Sequence, residues 1–247
     1  MTHSLAGKKA LVIGGSRGIG EAIVRKLSDD GAAVAFTWVS SGERIQKQLD
    51  DYHQQGKSVQ AFQADSGDAE QLTAVINQAA QALGGLDILV YNAGILRTGD
   101  IETFTLDDFD QSYNINVRGP FVAVKAALAH IQPGGRIVTI GSITSSAGRG
   151  AGSTVYGVTK AAVARLVRGL AWDLSSRKIT VNDVQPGPVA TDMNPLDGEK
   201  AEYLISINPM KRFGEPHEIA NMVAWLAGPE SSYVNGACIV VDGGLTA

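Results

Sequence analysis

The chain has 247 residues, of which 44% are hydrophobic and 19% are charged, so it can fill a hydrophobic core and is not a disordered chain. Its length fits one large α/β domain, residues 1–247, at least as well as two small domains. The net charge of -4, without any run of five like charges, argues against nucleic acid as the main partner.

Along the chain, short apolar runs alternate with longer segments of helical periodicity. After the first run, Ile19, Ile23 and Leu27 recur at four-residue spacing, which predicts a helix that ends at Gly31. Later helices are predicted around residues 44–49 and 72–79. Strands are predicted at residues 10–13, 34–38, 59–62, 88–91, 137–140, 180–184 and 237–241. Because strands that alternate with helices form a parallel sheet covered on both faces, we predict a Rossmann-type, doubly wound α/β fold of seven strands.

The least regular segment runs from residue 186 to residue 213 and contains three further prolines after Pro186. A stretch of this length without regular structure usually forms a lid or a binding segment. We therefore expect it to lie beside a binding site.

Glycine is over-represented: 29 of the 247 residues are glycine, whereas glycine usually makes up ~7% of a chain. One glycine cluster, residues 14–20, lies directly between the first predicted strand and the first predicted helix. Glycines there let a pyrophosphate approach the backbone, while the helix N-terminus supplies N–H donors. An ordinary glycine turn is an alternative. A P-loop is excluded, because Glu21 stands where lysine is required. The cluster also matches the G-x-S-x-G elbow of α/β-hydrolases around Ser16, but no HGGG-type oxyanion segment precedes it.

A second group of candidate residues lies after the fifth predicted strand. Tyr156 and Lys160 are one turn apart on the same face of a predicted helix, and Ser142 follows the carboxyl end of the strand. An isolated phenol, with a pKa near 10, is a poor acid at neutral pH. A lysine ammonium nearby favours the phenolate and brings a tyrosine toward useful acid–base catalysis. Taken alone, this pattern is weak, and a surface tyrosine beside a solvated lysine explains it better.

In this order and at this separation, the two groups resemble the short-chain dehydrogenase/reductase family. Further matches lie along the whole chain, at residues 92–94, 114–117, 186–189, 212–216 and 241–244. The resemblance implies an enzyme that transfers a hydride between a nicotinamide cofactor and a carbonyl or alcohol, here reducing a ketone or 3-oxoacyl-type carbonyl. It also implies a homo-oligomer, usually a tetramer formed through the long helix after Tyr156 and the C-terminal strand.

The resemblance assigns a catalytic tetrad, which comprises Asn116, Ser142, Tyr156 and Lys160. It implies that Tyr156 is the general acid in reduction and that Lys160 assists it and binds the nicotinamide ribose. It also implies that Ser142 orients the substrate carbonyl and that Asn116 holds Lys160 through a water. The cofactor site is assigned to Gly14, Ser16, Arg17, Gly18, Ile19, Gly20, Trp38, Ser40, Ser41, Asp65, Ser66, Asn92, Ala93, Gly94, Tyr156, Lys160, Pro186, Gly187, Val189 and Thr191.

The end of the second predicted strand discriminates between NAD and NADP. A carboxylate there would bind the ribose 2′-hydroxyl of NAD, but residues 38–41 are Trp, Val, Ser and Ser. Arg17 in the glycine turn, together with Ser40 and Arg44, supplies the guanidinium and hydroxyl donors that a 2′-phosphate requires. The sequence therefore predicts NADP(H) as the cofactor.

Two positions depart from the family pattern. Ile13 replaces the threonine that many members have before the first glycine, which we expect to loosen a local hydrogen bond and to leave the turn intact. Ser142 and Tyr156 are fourteen positions apart, where thirteen is usual, and the segment 145–153 can absorb the extra residue. Because this segment borders the expected substrate pocket, the substrate cannot be carried over from relatives.

We expect an apolar substrate pocket formed by Ile95, Leu96, Ile143, Met193, Leu196 and Met210. Such a pocket suits an uncharged or hydrophobic ketone. Arg97 and Arg149 would favour an anionic group, but solvated loop arginines are the simpler explanation. Arg177 resembles a basic position of the 3-oxoacyl-carrier-protein reductases. No positive charge occurs in residues 131–133, however, so docking of an acyl carrier protein is not favoured.

A second function class also fits the sequence. The segments 184–188, 192–195 and 222–230 and the long Ser–Tyr spacing resemble a bacterial branch of the family associated with cyclic-di-GMP binding and biofilm dispersal. The alternative is therefore a nucleotide-binding signalling protein of the same fold. The intact tetrad indicates catalytic competence in either case.

From the remaining sequence features we expect no His/Cys metal site, no intrachain disulfide, no membrane helix and no signal peptide. The four histidines are scattered and none adjoins Cys238, so no His/Cys metal site is expected. Because Cys238 is the only cysteine, no intrachain disulfide can form, and we expect a buried core thiol. No apolar stretch reaches the ~18 residues of a membrane helix, and residues 1–9 contain no signal-peptide core. We therefore expect a cytoplasmic protein.

Overall fold

The computed structural model describes residues 4–147 and 150–247, and its seven strands form one parallel sheet. The strands are β1 Lys9–Ile13, β2 Ala33–Trp38, β3 Val59–Gln63, β4 Leu86–Tyr91, β5 Ile131–Ile140, β6 Thr180–Pro186 and β7 Cys238–Val241. Every neighbouring pair is parallel. The predicted seven-stranded, doubly wound sheet is confirmed.

The sheet is flanked by helices whose ends follow from local sequence. They are α1 Gly18–Asp29, α2 Gly42–Gln54, α3 Ala69–Leu83, α4 Leu106–Tyr113, α5 Gly119–Ala127, α6 Thr154–Asp173, α7 Glu199–Ile207 and α8 Pro216–Ala227. In α3, for example, the Asp68 side chain accepts hydrogen bonds from the backbone N–H groups of Glu70 and Gln71. Gly84, with φ of 72°, ends that helix in the left-handed conformation.

Alternate residues of each strand pack into two hydrophobic cores, one on each face of the sheet. Ala10 and Val12 of β1 face the core covered by α1, α2 and α8. Leu11 and Ile13 face the core covered by α3, α5 and α6. Because both faces are covered, most strand residues are apolar, which is why the strands were recognisable as apolar runs.

The strand order β3-β2-β1-β4-β5-β6-β7 reverses between β1 and β4. These two strands pair in register from Ala10 with Ile88 to Ile13 with Tyr91. In an open parallel sheet, ligands bind beyond the carboxyl ends of the strands at the point where the order reverses, because a crevice opens there. The fold therefore places a candidate site between the loops that follow Ile13 and Tyr91.

The segment 186–213 is more regular than its sequence predicted, because it contains the helix α7. Gly198, with φ of 86°, precedes the helix and allows the chain to turn into it. Glu199 and Glu202 lie in the first turn, where the helix dipole favours negative charge. This part of the segment is therefore not the irregular loop that we expected.

β5 begins at Ile131, six residues before its predicted start, although residues 133–135 are Pro-Gly-Gly. A register shift opposite residues 86–88 of β4 accommodates this irregular stretch. The Arg177 guanidinium holds the same region by donating to the carbonyl oxygens of Leu128 and Ile131, at 3.1 and 2.5 Å. This arginine, singled out as a basic position, is thus engaged within the chain.

Candidate active site

A cleft with a volume of about 530 Å³ opens where the strand order reverses. Ser142 lines it, whereas Asn116 is buried behind its wall. The residues predicted to bind the cofactor also line it, with one exception: they are Gly14, Ser16, Arg17, Gly18, Ile19, Trp38, Ser40, Ser41, Asp65, Ser66, Asn92, Ala93, Gly94, Tyr156, Lys160, Pro186, Gly187, Val189 and Thr191. The fold thus brings together residues that the sequence separates by more than a hundred positions.

The glycine turn after β1 is held by side chains from β2 and from the loop after β4. The Gly14 N–H donates to Thr37 Oγ1 at 2.9 Å, and the Gly14 carbonyl oxygen accepts from Asn92 Nδ2 at 2.7 Å. Gly14 has φ of 80°, and a Cβ there would lie 2.8 Å from Ala93 Cα, so only glycine fits. The loosened hydrogen bond expected from Ile13 does not occur at Gly14, because Thr37 satisfies its N–H.

Gly20 is the one predicted cofactor residue that does not line the cleft, and its assignment stays a prediction. A Cβ on Gly20 would overlap the Gly14 carbonyl oxygen and lie 2.6 Å from Asn92 Nδ2. This glycine is therefore needed for α1 to pack against the turn. Gly18 and Ile19, at the start of α1, do line the cleft. The free N–H groups of a first helical turn and the helix dipole form a binding place for an anion.

Two arginines, Arg17 and Arg44, line the part of the cleft where the sequence predicts that a 2′-phosphate binds. Arg17 lies 3.6 Å from Asp192 and Arg44 lies 3.0 Å from Glu21, with 67% and 52% of the two arginine side chains exposed. Exposed ion pairs of this kind contribute only about 0–1 kcal/mol, so a phosphate can displace either carboxylate. The neighbouring residues 38–41 line the cleft without a carboxylate. The corner fits the phosphate of NADP(H) rather than the free ribose hydroxyl of NAD(H).

Lys160 is buried, and its ammonium donates to the Ile140 carbonyl oxygen at 2.8 Å. The ammonium lies 5.7 Å from the centre of the Tyr156 ring, one turn earlier on α6. An ammonium in the protein interior is stable only where acceptors or negative charge surround it. The bond to the last residue of β5 therefore holds a positive charge beside the Tyr156 phenol, which is half-buried in the cleft wall.

Ser142 precedes a short 3₁₀ turn, Ile143–Ser145, and is 7% exposed. Its Oγ accepts hydrogen bonds from the backbone N–H and the hydroxyl of Thr144, at 3.2 and 3.0 Å. Because both bonds use the oxygen as acceptor, the Ser142 hydroxyl hydrogen is left to donate. A carbonyl oxygen in the cleft is a suitable acceptor.

Asn116 lies in a π-helical turn, Asn114–Arg118, that joins α4 to α5. Its side chain donates to the Ile95 carbonyl oxygen at 2.9 Å and to Thr159 Oγ1 at 3.1 Å, and it accepts from the Ile95 N–H at 2.9 Å. Turns of this kind are frequent at functional sites, and no sequence pattern indicated this one. The water-mediated contact between Asn116 and Lys160 stays a prediction.

Tyr91, the last residue of β4, fixes this π-helical turn. Its buried hydroxyl donates to the Ile115 carbonyl oxygen at 2.7 Å, and burial raises the pKa of Tyr91 well above its ordinary value. The phenol therefore remains a neutral hydrogen-bond donor. A Cβ on Gly119 would overlap the Tyr91 hydroxyl, so only glycine fits where α5 begins.

Gly94 lies between the amide of Asn116 and the ammonium of Lys160. A Cβ on Gly94 would lie 3.3 Å from Asn116 Oδ1 and 3.5 Å from Lys160 Nζ. A side chain here would crowd both groups. The glycine of the 92–94 motif thus keeps space open next to the catalytic candidates.

The loop after β6 closes the other side of the cleft. A Cβ on Gly187 would lie 2.7 Å from Asp242 Cβ, which explains why glycine follows Pro186. Val189 is buried and forms a β-bridge with Gly214. These contacts hold the loop that carries Thr191 against the glycine turn.

Part of the cleft was not predicted. The additional residues are Thr37, Val39, Ile45, Thr98, Ile115, Ile140, Gly141, Thr144, Ser153, Pro188, Asp192, Asn194, Lys200, Leu204 and Leu245. Lys200 and Leu204 belong to α7, whose sequence signal is a glycine followed by acidic residues at 198–202. Among the predicted apolar residues, Ile95, Leu96, Ile143 and Met193 line the cleft. Leu196 and Met210 do not, which corrects their assignment.

Two further residues singled out from the sequence, Arg97 and Cys238, differ from a free cation and a fully buried thiol. Arg97 lies 3.5 Å from Asp108 and donates to Gln111 at 3.3 Å, so its charge is partly compensated outside the cleft. Cys238 is half-buried rather than fully buried. Predictions on Arg149 and on the first three residues lie outside the described part of the chain. Within residues 4–147 and 150–247, no cluster of three potential metal ligands occurs, and no helix is long and apolar enough to cross a membrane.

Comparison with known proteins gives consistent matches over almost the whole chain. The family model described as enoyl-(acyl carrier protein) reductase matches residues 13–246. The cyclic-di-GMP-binding biofilm dispersal mediator protein of Escherichia coli strain K12 is 42% identical over 240 residues, covering 97% of this chain and 98% of that protein. A probable tetrahydroxynaphthalene reductase of Zymoseptoria tritici is 37% identical over 255 residues, covering 98% of this chain and 96% of that protein.

Among solved structures, a short-chain dehydrogenase from Burkholderia cenocepacia J2315 in complex with NADP is similar to this chain. The two share 45% sequence identity with a TM-score of 0.96, covering 99% of this chain and 100% of that one. At this identity the likeness extends beyond the fold to the family.

We predict that Gly20→Ala destabilises the protein, because the added methyl group overlaps the Gly14 carbonyl oxygen. Overpacking of this kind costs about 1–3 kcal/mol, which thermal unfolding of the cofactor-free protein will show as a lower midpoint. Gly169→Ala in α6 is the matched control, since its Cβ would lie 3.6 Å from the nearest atom, on Arg165. The control gains helix propensity and stability. Equal midpoints for the two variants would contradict the packing role of Gly20.

Proposed function

The chain belongs to the short-chain dehydrogenase/reductase family, and from this membership we propose that it is an NADP(H)-dependent carbonyl reductase acting on a ketone or 3-oxoacyl-type substrate. The observation that carries the proposal is the buried Lys160 ammonium beside the Tyr156 phenol, with the Ser142 hydroxyl in the same cleft. A reductase-named relative and the NADP complex of a similar structure support it.

The residues present fit the cofactor. The turn at Gly14 and the N-terminus of α1 suit a pyrophosphate, and Arg17 and Arg44 suit a 2′-phosphate. Because Gly94 has no side chain, space is left beside the Lys160 ammonium. A ribose bound by this ammonium requires that space. NADPH, when bound, supplies the hydride that reduces the carbonyl carbon.

In the proposed reduction, Ser142 donates a hydrogen bond to the substrate carbonyl oxygen and fixes its direction. Tyr156 gives its hydroxyl proton to that oxygen as the carbon receives the hydride, so the C=O bond becomes a CH–OH group and Tyr156 is left as a phenolate. The Lys160 cation stabilises that phenolate and so favours the transfer. Asn116 holds Ile95 through two hydrogen bonds to its backbone and contacts α6 through a third, to Thr159 Oγ1.

The substrate class follows from the lining of the cleft beyond the catalytic residues. Ile95, Leu96, Ile143, Met193 and Leu204 make that part apolar, and Lys200 is its one cation among the described lining residues. An uncharged, hydrophobic ketone is therefore the proposed substrate. The tetrahydroxynaphthalene reductase name of one relative agrees with an uncharged, bulky aromatic substrate. Docking of an acyl carrier protein is not part of the proposal.

We also propose that the protein is a homo-oligomer, by family analogy a tetramer, in the cytoplasm. Two sets of exposed apolar side chains support assembly. Phe109, Tyr113, Phe121 and Val158 lie on α4, α5 and α6, and Trp225 and Val240 lie on α8 and the edge strand β7. An uncovered edge strand normally needs protection. Light scattering is expected to give about four times the 25.9 kDa monomer mass, and a single monomeric species would contradict assembly.

The cofactor preference predicts a selective effect of the two arginines. Arg17→Ala and Arg44→Ala should each weaken NADPH binding by about tenfold or more, because each removes a charge-assisted hydrogen bond to the 2′-phosphate. NADH binding should change little. Fluorescence titration of both cofactors measures this, with Arg25→Ala as control, since Arg25 lies on α1 outside the cleft. Wild-type protein that binds NADH as tightly as NADPH would contradict the preference.

Tyr156→Phe is expected to lower the rate of NADPH-dependent ketone reduction at least ~100-fold, because it removes the proton donor and keeps the ring. The measurement is NADPH oxidation over a panel of ketones, aldehydes and quinones. Tyr233→Phe is the control, since Tyr233 is fully exposed. Unchanged activity in the Tyr156 variant would exclude this residue from the chemistry.

The second candidate function, cyclic-di-GMP binding in signalling, is favoured by the 42% identity to the Escherichia coli dispersal mediator. The same ketone panel separates the two functions when cyclic-di-GMP is titrated in parallel. Binding of cyclic-di-GMP without any carbonyl turnover would replace the reductase assignment.

A further inference from the structure

One buried carboxyl has no part in the chemistry proposed above. Asp183, in the middle of β6, is 0% exposed. Its Oδ1 accepts from the Thr139 hydroxyl at 2.5 Å, and its Oδ2 accepts from the Gln185 side-chain amide at 2.9 Å. Burying a carboxyl is costly unless it is bonded or paired with charge. Its position relative to the active site indicates what it does.

The Asp183 carboxyl lies directly beneath the strand end that holds the catalytic groups. Asp183 pairs in register with Thr139 of β5. The next residue, Ile140, has the carbonyl oxygen that accepts the hydrogen bond from the Lys160 ammonium. A Cβ on Gly141 would overlap the carboxyl, so the missing side chain provides the space that the carboxyl fills. Gly141 is followed at once by Ser142. The carboxyl therefore sits between the supports of two catalytic residues.

Three elements pack against this carboxyl, and two of them, α6 and β7, bring titratable groups to it. Lys160 and Arg168 act on it as positive charges from α6, Cys238 pairs with it in register from β7, and β5 contributes the uncharged Thr139 hydroxyl. Burial raises the pKa of Asp183, while its hydrogen bonds and the two cations oppose the rise. Burial and the Asp183 charge in turn raise the pKa of the Cys238 thiol.

We propose that Asp183 is a positioning residue, a buried counter-charge to Lys160 that sets the pH range in which Tyr156 acts as an acid. The proposal rests on the proposed function, in which Tyr156 donates a proton. A negative charge near Tyr156 and Lys160 makes the Tyr156 phenolate harder to form, whereas the Lys160 cation makes it easier. Asp183 therefore keeps Tyr156 protonated to a higher pH than Lys160 alone would allow, and reduction continues over a wider range.

The test is Asp183→Asn, which keeps the shape and can still accept from Thr139 while removing the charge. In this variant, the alkaline limb of the pH profile of kcat/KM for NADPH-dependent reduction should move to lower pH by roughly one unit. Thr139→Val is the matched control. It removes a hydrogen bond at the same place but leaves the charge, so its alkaline limb should stay where the wild type has it. A merely structural role would lower stability in both variants without moving the limb.

A second readout needs no substrate. Cys238 is the only cysteine, so the pH dependence of its alkylation by iodoacetamide in the full-length protein reports its own titration. Asp183→Asn should lower the pKa of the Cys238 thiol by roughly one unit, and Thr139→Val should leave it unchanged. If Asp183→Asn does not fold, Asp183→Ser removes the same charge and should give the same two shifts.

The outcomes separate this proposal from the proposed function. An unmoved thiol titration would show that Asp183 carries no charge in the folded protein and would overturn the proposal. A shifted Cys238 titration with an unmoved alkaline limb of kcat/KM would show that the Asp183 charge does not affect Tyr156. That result would also overturn the proposal. If the wild type reduces no carbonyl, the proposed function fails, and this role of Asp183 fails with it. The thiol shift then still shows that the charge lies where the structure places it.

Discussion

The active site depends on one buried interaction, the 2.8 Å hydrogen bond from the Lys160 ammonium to the Ile140 carbonyl oxygen. An ammonium is unstable in the interior without acceptors and compensating charge. The last residue of β5 supplies the acceptor, and the absence of a side chain at Gly94 keeps the space next to it open. With the ammonium fixed, the Tyr156 phenol on the preceding turn of α6 lies beside it. In the proposed reduction, the ammonium favours the phenolate that proton donation by Tyr156 leaves behind.

The sheet topology brings the partners of this interaction to one place. The order reverses between β1 and β4, so the loops that follow them diverge and leave a crevice. Glycines occupy the points of closest approach, and each does so for a different reason. Gly14 needs a positive φ, Gly20 must avoid the Gly14 carbonyl oxygen, and Gly141 makes room for a carboxyl. At these three positions glycine thus reflects close packing or backbone conformation around the cleft, whereas others, such as Gly56 and Gly134, serve turns with a positive φ and no close neighbour.

Most of the fold could be predicted from the sequence because the strands are buried on both faces and read as apolar runs. The helix α7 was missed because it is short and has no clear apolar period, and with it Lys200 and Leu204 were missed as lining residues. The π-helical turn around Asn116 was invisible because it depends on contacts with Tyr91 and residue 95, far along the chain. Motifs identified which residues meet at the cleft, but long-range hydrogen bonds decide what each one does.

We expect this cleft to hold NADPH with its nicotinamide ribose on the Lys160 ammonium. A crystal structure of the protein with NADPH tests it most directly. We expect a ribose hydroxyl within about 3 Å of Lys160 Nζ and the 2′-phosphate in contact with Arg17 or Arg44. A nicotinamide half that lies away from Lys160 and Tyr156, or a 2′-phosphate that touches neither arginine, would contradict the account.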